Sequence, residues 1–435
     1  MCCVRGAALP GDRRPLASVL AANVVSISGS ALTGMGVPWF VLQSTGSAAK
    51  AGVVAFCAML PVVLSAMAGG PVIDLIGRRR VGVASDLVCG AAVATIPLLQ
   101  LVGVLRFWML CGLMAVTGLF HAPGETARGV LLPALAERAG MPLARAAGLY
   151  DGASRCAGMI GSAVGGVLIT VLGAQHVLFL DAGSFAVSAV LLAFGLRAVA
   201  EAGPQARAEP GLPRGCRREL TEGYRYVAGT PLLLGVCLMT LVTRGLDQGW
   251  SAVLLPVHVR DKLGGAGDLG VLEALFSAGA LTGALVYGWV GRRFRRWPVF
   301  TVAFLIVGMP RFVVAAFTDT VTPLGVMMAI EGLACGVLNP IMATVMYETV
   351  PGQLHSRVLS ATTASFLTVT PLGGLAAGFL VGSAGLFATT LAIGGAYLFA
   401  TLSPVIFPAW KQMDAPGPTH ARLSSVPGGS GSEPA

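Results

Sequence analysis

The sequence predicts an all-α integral membrane protein in which twelve spanning helices form two similar six-helix bundles. Three observations carry this: the chain is 55% hydrophobic but only 11% charged, its apolar runs number twelve, and glycine and arginine positions repeat at about half its length. A soluble globular chain carries roughly 25% charged residues, so the deficit makes lipid the solvent. A spanning helix takes about 20 mostly apolar residues. The 435 residues therefore hold about a dozen spans with short connections, and no sizeable soluble domain.

The runs lie near 17–42, 51–73, 82–104, 107–131, 146–171 and 176–197, then near 232–257, 268–290, 298–318, 322–346, 358–382 and 384–408. Each is bounded by charged or turn-forming residues. The implied organisation is a segment 1–16, a first bundle 17–197, a linker 198–230, a second bundle 231–410 and a tail 411–435 that reads as disordered. Arg5, Arg13 and Arg14 precede the first run as in a signal peptide, but that run is too long for one.

The net charge of +9 raises the possibility of nucleic acid, and its placement answers it. With a cytoplasmic amino terminus, roughly 21 basic residues fall on the cytoplasmic side, against Lys50, Arg106, Arg260 and Lys262 outside. That is the asymmetry that orients membrane proteins, so the charge is topological and no nucleic-acid partner is expected.

Duplication explains the third observation. A shift of 212 superposes Arg145 on Arg357, Gly166 on Gly378 and Gly173 on Gly385. A shift of 214 superposes Gly69 on Gly283, Gly77 on Gly291, and Arg78 and Arg79 on Arg292 and Arg293. Transporters are commonly built from such repeats.

Between the second and third runs stand Gly70, Pro71, Val72, Ile73, Asp74, Leu75, Ile76, Gly77, Arg78, Arg79 and Arg80. Gly70 permits close helix approach, Gly77 a tight turn, and Asp74 can pair with a cation or a helix end. The fifth run carries Gly158, Gly161, Ser162, Ala163, Val164, Gly165 and Gly166, a small-residue face suited to close packing in lipid. The loop resembles the signature loop of the major facilitator superfamily. The glycines are similar to the motif its exporters carry in the same helix, with Ser162 where that motif usually has proline. Residues 133–149 and 179–185 look like the macrolide-efflux and siderophore-exporter branch of its drug:proton antiporters. The resemblance spans roughly residues 15–410. It implies the major facilitator fold, a latch formed by Gly70, Asp74, Gly77, Arg78, Arg79 and Arg80, and proton-coupled export of drugs or secondary metabolites.

Ionisable groups at the bilayer centre cost about 2.5–3.5 kcal/mol on insertion scales, which makes them candidates for function. The fourth run places Glu125 and Arg128, and the fifth Asp151 and Arg155, at similar depth, so two acid and base pairs can meet there. A gate and a structural network are both open readings of that cluster. The seventh run carries Arg244 and Asp247, and the tenth Glu331, near mid-depth. In the superfamily the first, fourth, seventh and tenth helices line the central cavity, so the resemblance puts Glu125, Arg244, Asp247 and Glu331 near the substrate path. Asp247 or Glu331 is the expected proton carrier, desolvation and a nearby arginine being the opposing influences a carrier needs. A permanent structural pair of Arg244 with Asp247 is the alternative. Arg311, Glu273 and Asp181 are weaker candidates.

None of Lys50, Lys262 and Lys411 precedes Ser or Thr, so no phosphate loop is built and no ATP is expected. The five histidines are isolated and the nine cysteines lack metal-site spacing, so neither a metal nor any cofactor beyond the proton gradient is expected, nor an enzyme. The expected protein is a monomer in a bacterial plasma membrane, with both termini cytoplasmic and a hydrophobic or amphipathic small molecule as substrate. An uptake permease, or a membrane sensor or scaffold that transports nothing, is the alternative.

Overall fold

A computed structural model describes residues 12–197, 214–351 and 354–414. Residues 1–11, 198–213 and 415–435, on which much of the predicted amino-terminal segment, linker and tail falls, lie outside the described residues. Lipid offers no partner to an open backbone N–H or C=O, so helices that satisfy their own are the natural solution. The described residues contain no strand.

The first half comprises α1 (Arg14–Thr45), α2 (Ala48–Ile76), α3 (Arg78–Leu101), α4 (Phe107–Arg138), α5 (Leu143–Leu172) and α6 (Ala174–Gly195). In the second half, α7 (Arg214–Gly229) precedes α8 (Pro231–Leu263), α9 (Ala266–Val290), α10 (Arg296–Phe317), α11 (Val321–Thr349) and α12 (His355–Thr401). Gly385, with φ 81° and ψ 167°, breaks α12 into two spans. With α7 set aside, each half therefore has six spans. Gly173, the partner of Gly385 under the repeat, has φ 85° and ψ 152° at the junction of α5 and α6. Both junctions need a backbone that an L side chain rarely adopts, and this explains why glycine stands at both.

Two helices depart from regularity. In α8, π-helical stretches at Trp250–Leu254 and Val259–Leu263 flank Pro256, whose missing N–H disrupts the regular ladder. In α10, Gly308 (φ −78°, ψ −116°) breaks the helix just before Pro310, so Arg311 falls in the first turn of the second arm.

The second part of the predicted linker forms α7. Its charged residues Arg214, Arg218, Glu222 and Arg225 recur at helical spacing, and one face docks on α11 and α12. Glu222 pairs with Arg357 at 2.5 Å, Tyr226 donates to the Thr349 carbonyl at 2.9 Å, and Val227 is buried. The chain turns by 110° between α7 and α8. At the start of the tail predicted as disordered, Pro408–Asp414 forms a 3₁₀ segment with Trp410 and Met413 buried. Asp414 accepts hydrogen bonds from the backbone N–H groups of Arg296 (2.8 Å) and Trp297 (3.1 Å) and from Arg295 Nε (3.1 Å). A carboxylate on the open N–H groups of a helix start is a favourable cap, and it holds the tail to α10.

The arginines of the α2–α3 turn, the α4–α5 connection and the α9–α10 connection share one face of the bundle. Contacts between the halves gather toward the opposite face. There α2 meets α12 through Gly52, Gly374 and Gly378, and α5 meets α9 through Gly166 and Gly270. On the arginine-rich side, Glu125, Asp151, Arg155 and Arg244 are exposed, and among the described residues no glycine contact joins the halves there.

Candidate functional site

A cavity of about 370 Å³ lies between the halves, on the side where these glycines join them. Its wall is largely apolar, with Met35, Met59, Met114 and Phe185 among the lining residues. Its ionisable groups are His121 of α4, Asp181 of α6 and Glu273 of α9. Asp181 is fully buried and accepts hydrogen bonds from Thr33 Oγ1 of α1 and from Ser184 Oγ (3.1 Å). Glu273 makes no hydrogen bond or ion pair among the described residues. His121 stands edge-on to Phe185, with ring centroids 6.2 Å apart. These three groups sit on different helices, which is why the sequence pattern gives them little weight. The signal available was an acid about two turns into α6 and into α9, followed in each by a mostly apolar run.

Beside the cavity, where Gln248 and Ser251 of α8 line it, is an ion triad. Arg311 donates to Asp247 at 2.5 Å and to Glu331. The Arg311 guanidinium is also set among the rings of Trp250, Phe312 and Tyr397, at 5.4, 4.6 and 5.1 Å from their centroids, positions suited to cation–π attraction. The irregularities of α8 and α10 place Trp250 and Arg311 in this cluster. Arg311 thus brings Asp247 and Glu331 to one point. The alternative pair of Arg244 with Asp247 is corrected, because Arg244 is exposed and Asp247 turns to α10.

The first half holds a counterpart of opposite polarity. Arg128 of α4 pairs with Asp86 of α3 at 2.9 and 3.1 Å and reaches Ser26 Oγ at 3.3 Å, while Ser188 donates to Asp86 at 2.6 Å. Arg128 and Asp86 are 1% and 2% exposed, so the pair is sealed from water. The predicted cluster of Glu125, Arg128, Asp151 and Arg155 therefore does not assemble. The start of α5 is tied to α1 instead, with Tyr150 donating to Asn23 at 2.9 Å and Asn23 to Ser154 at 2.6 Å. This leaves Asp151 and Arg155 on the open side. Asp86 escapes sequence reasoning because its partner lies 42 residues away, although a carboxylate two turns into an apolar run is itself a signal.

Removing one member of a sealed pair strands the other charge and costs about 3–5 kcal/mol. Arg128→Ala is therefore expected to lower the amount of protein in the membrane several-fold, and the swap of Asp86→Arg with Arg128→Asp to recover part of it, as read by immunoblot of isolated membranes. Equal amounts in Arg128→Ala and the parent would show the pair to be dispensable.

Of the signature loop, the surroundings of Gly70 and the side chain of Asp74 lie outside the described residues. Gly77 has φ 98° and ψ 138° at the start of α3, a turn that favours glycine. Arg79 donates to the Ala193 carbonyl near the end of α6 at 2.6 Å, Arg78 is partly buried and Arg80 exposed. In α5, Gly158, Gly161 and Gly165 face α1, through Ile27, Ser28 and Leu32, whereas Gly166 meets Gly270 of the other half.

The sequence profile of the Major Facilitator Superfamily matches residues 19–249 and 238–427. The multidrug efflux pump Tap of Mycolicibacterium fortuitum is 32% identical over 405 residues, covering 92% of this chain and 98% of the relative. Macrolide efflux protein A of Streptococcus pyogenes is 20% identical over 361 residues, covering 82% and 86%. The crystal structure of the nucleoside transporter NupG superposes with a TM-score of 0.69 at 14% identity, over 91% of this chain and all of that chain, a likeness of fold alone.

Proposed function

The chain belongs to the Major Facilitator Superfamily, and from that premise we propose that it exports hydrophobic or amphipathic small molecules against their gradient, driven by protons, by exposing its cavity to each side of the membrane in turn. The observation that carries this reading is the apolar cavity between two six-helix halves, which meet beside it through the glycine contacts of α2 with α12 and of α5 with α9. The asymmetry of basic residues supports a cytoplasmic arginine-rich face with both termini on it, and in this reading substrate enters from the cytoplasm. Both named relatives are efflux proteins, which favours export over uptake. The bundles 17–197 and 231–410 are the bodies that rock against each other, and the loop of Gly70, Asp74, Gly77, Arg78, Arg79 and Arg80 is their latch.

The triad of Asp247, Arg311 and Glu331 is the coupling site in this reading. One guanidinium faces two carboxylates, so one acid can take a proton without leaving Arg311 unpaired. The side chain of Asp247 is 39% exposed and that of Glu331 only 2%, which makes Asp247 the point of exchange with water and Glu331 the fixed partner.

The test is accumulation of ethidium and of erythromycin in energised cells with and without the protein. Expression is expected to lower accumulation of at least one several-fold, and an uncoupler to abolish the difference. Lowered accumulation that persists after uncoupling would overturn proton drive, and raised accumulation would overturn export.

A further inference from the structure

We propose that Glu273 is the residue by which the cavity selects amphipathic organic cations over neutral molecules of similar size. The proposal rests on the export reading for its physiological meaning, and on the charges of the cavity for its argument.

Among the described residues, the arginines sealed elsewhere in the spanning helices are matched by carboxylates. Asp86 has Arg128, and Glu331 shares Arg311 with Asp247. The cavity breaks this pattern, because Asp181 and Glu273 line it and no Lys or Arg does, in a chain with 29 basic residues. The two acids are not equivalent. Asp181 receives donors from Thr33 and Ser184, which bind it into the contact between α1 and α6. Glu273 receives none among the described residues, and it projects from the second half into a largely apolar space.

An isolated carboxylate in such a space is costly unless a cation or donor arrives to meet it. The group that can arrive is the ligand. Its apolar body would lie against Met35, Met59, Met114 and Phe185. Thioethers adapt to irregular shapes and the ring supplies a face for a cation. The cavity thus offers one open negative group and a conformable apolar wall, the complement of an amphipathic monocation. Glu273 also stands one turn from Gly270, which touches Gly166 of the first half. A cation bound there lies at the seam that must part in transport.

Binding tests this independently of export, so a failure to export in cells overturns the earlier reading without touching this one. Equilibrium dialysis of the purified full-length protein in detergent would use ethidium as the cation and chloramphenicol as the neutral probe. Glu273→Gln is expected to weaken ethidium at least tenfold and chloramphenicol less than twofold, with Glu273→Asp recovering part of the ethidium affinity. Asp181→Asn, which loosens the α1–α6 tie, should weaken both probes together. Parallel loss of both probes in Glu273→Gln would overturn the proposal, as would unchanged ethidium affinity or a parent protein that binds no ethidium.

Discussion

Replacing Arg311 with glutamine is expected to abolish transport and to lower the stability of the protein by about 3–5 kcal/mol, the range for breaking a buried pair from one side. Arg311 is 3% exposed and Glu331 2%, so neither group can turn to water. The variant leaves two carboxylates facing each other among Trp250, Phe312 and Tyr397. Adding Glu331→Gln removes one stranded charge and is expected to restore much of the thermal stability in detergent while leaving transport absent. Members of one network couple rather than add, and stability and transport should therefore separate in the double variant. Asp247→Asn keeps the Arg311 to Glu331 pair, so it should fold normally and lose only the dependence of export on the proton gradient. An Arg311→Gln protein that melts with the parent and still exports would remove the triad from both roles.

This site shows where the sequence is legible and where it is not. The spans were readable because lipid imposes one rule on every residue of a run, and the repeat was readable because glycine marks backbone that other residues avoid, as at Gly173 and Gly385. The acids Asp247 and Glu331 were readable as costly intrusions into apolar runs. Their partner was not, because Arg311 is 64 residues from one and 20 from the other. Arg244, three residues from Asp247, is a neighbour on the helix surface, and proximity in sequence outweighed a contact made through the break at Gly308. The same limit hid Asp86 behind Arg128. Pairing across helices depends on rotation and register, which periodicity does not set, and α7 was obscured because its charged face resembles the composition of a linker.

Gly270→Leu is expected to eliminate export while leaving the amount of protein in the membrane near that of the parent. A Cβ built on Gly270 would fall on the Gly166 backbone, 2.9 Å from its carbonyl carbon, and leucine needs far more room. At the second seam, a Cβ on Gly378 would lie 3.1 Å from Gly52 Cα and 2.8 Å from the Ala48 carbonyl oxygen. Both contacts join the halves, so crowding them opposes closure without unpacking either bundle, and Gly378→Leu should behave alike. Gly373 is the contrast, because it abuts the Gly245 backbone within the second half. There a leucine separates α8 from α12 and should reduce the folded protein itself. Alanine at Gly270 asks for a smaller displacement and should slow export rather than stop it. Membrane immunoblots and ethidium efflux from the same cells distinguish the outcomes: full export by Gly270→Leu would mean that these glycines pack the halves but take no part in the cycle.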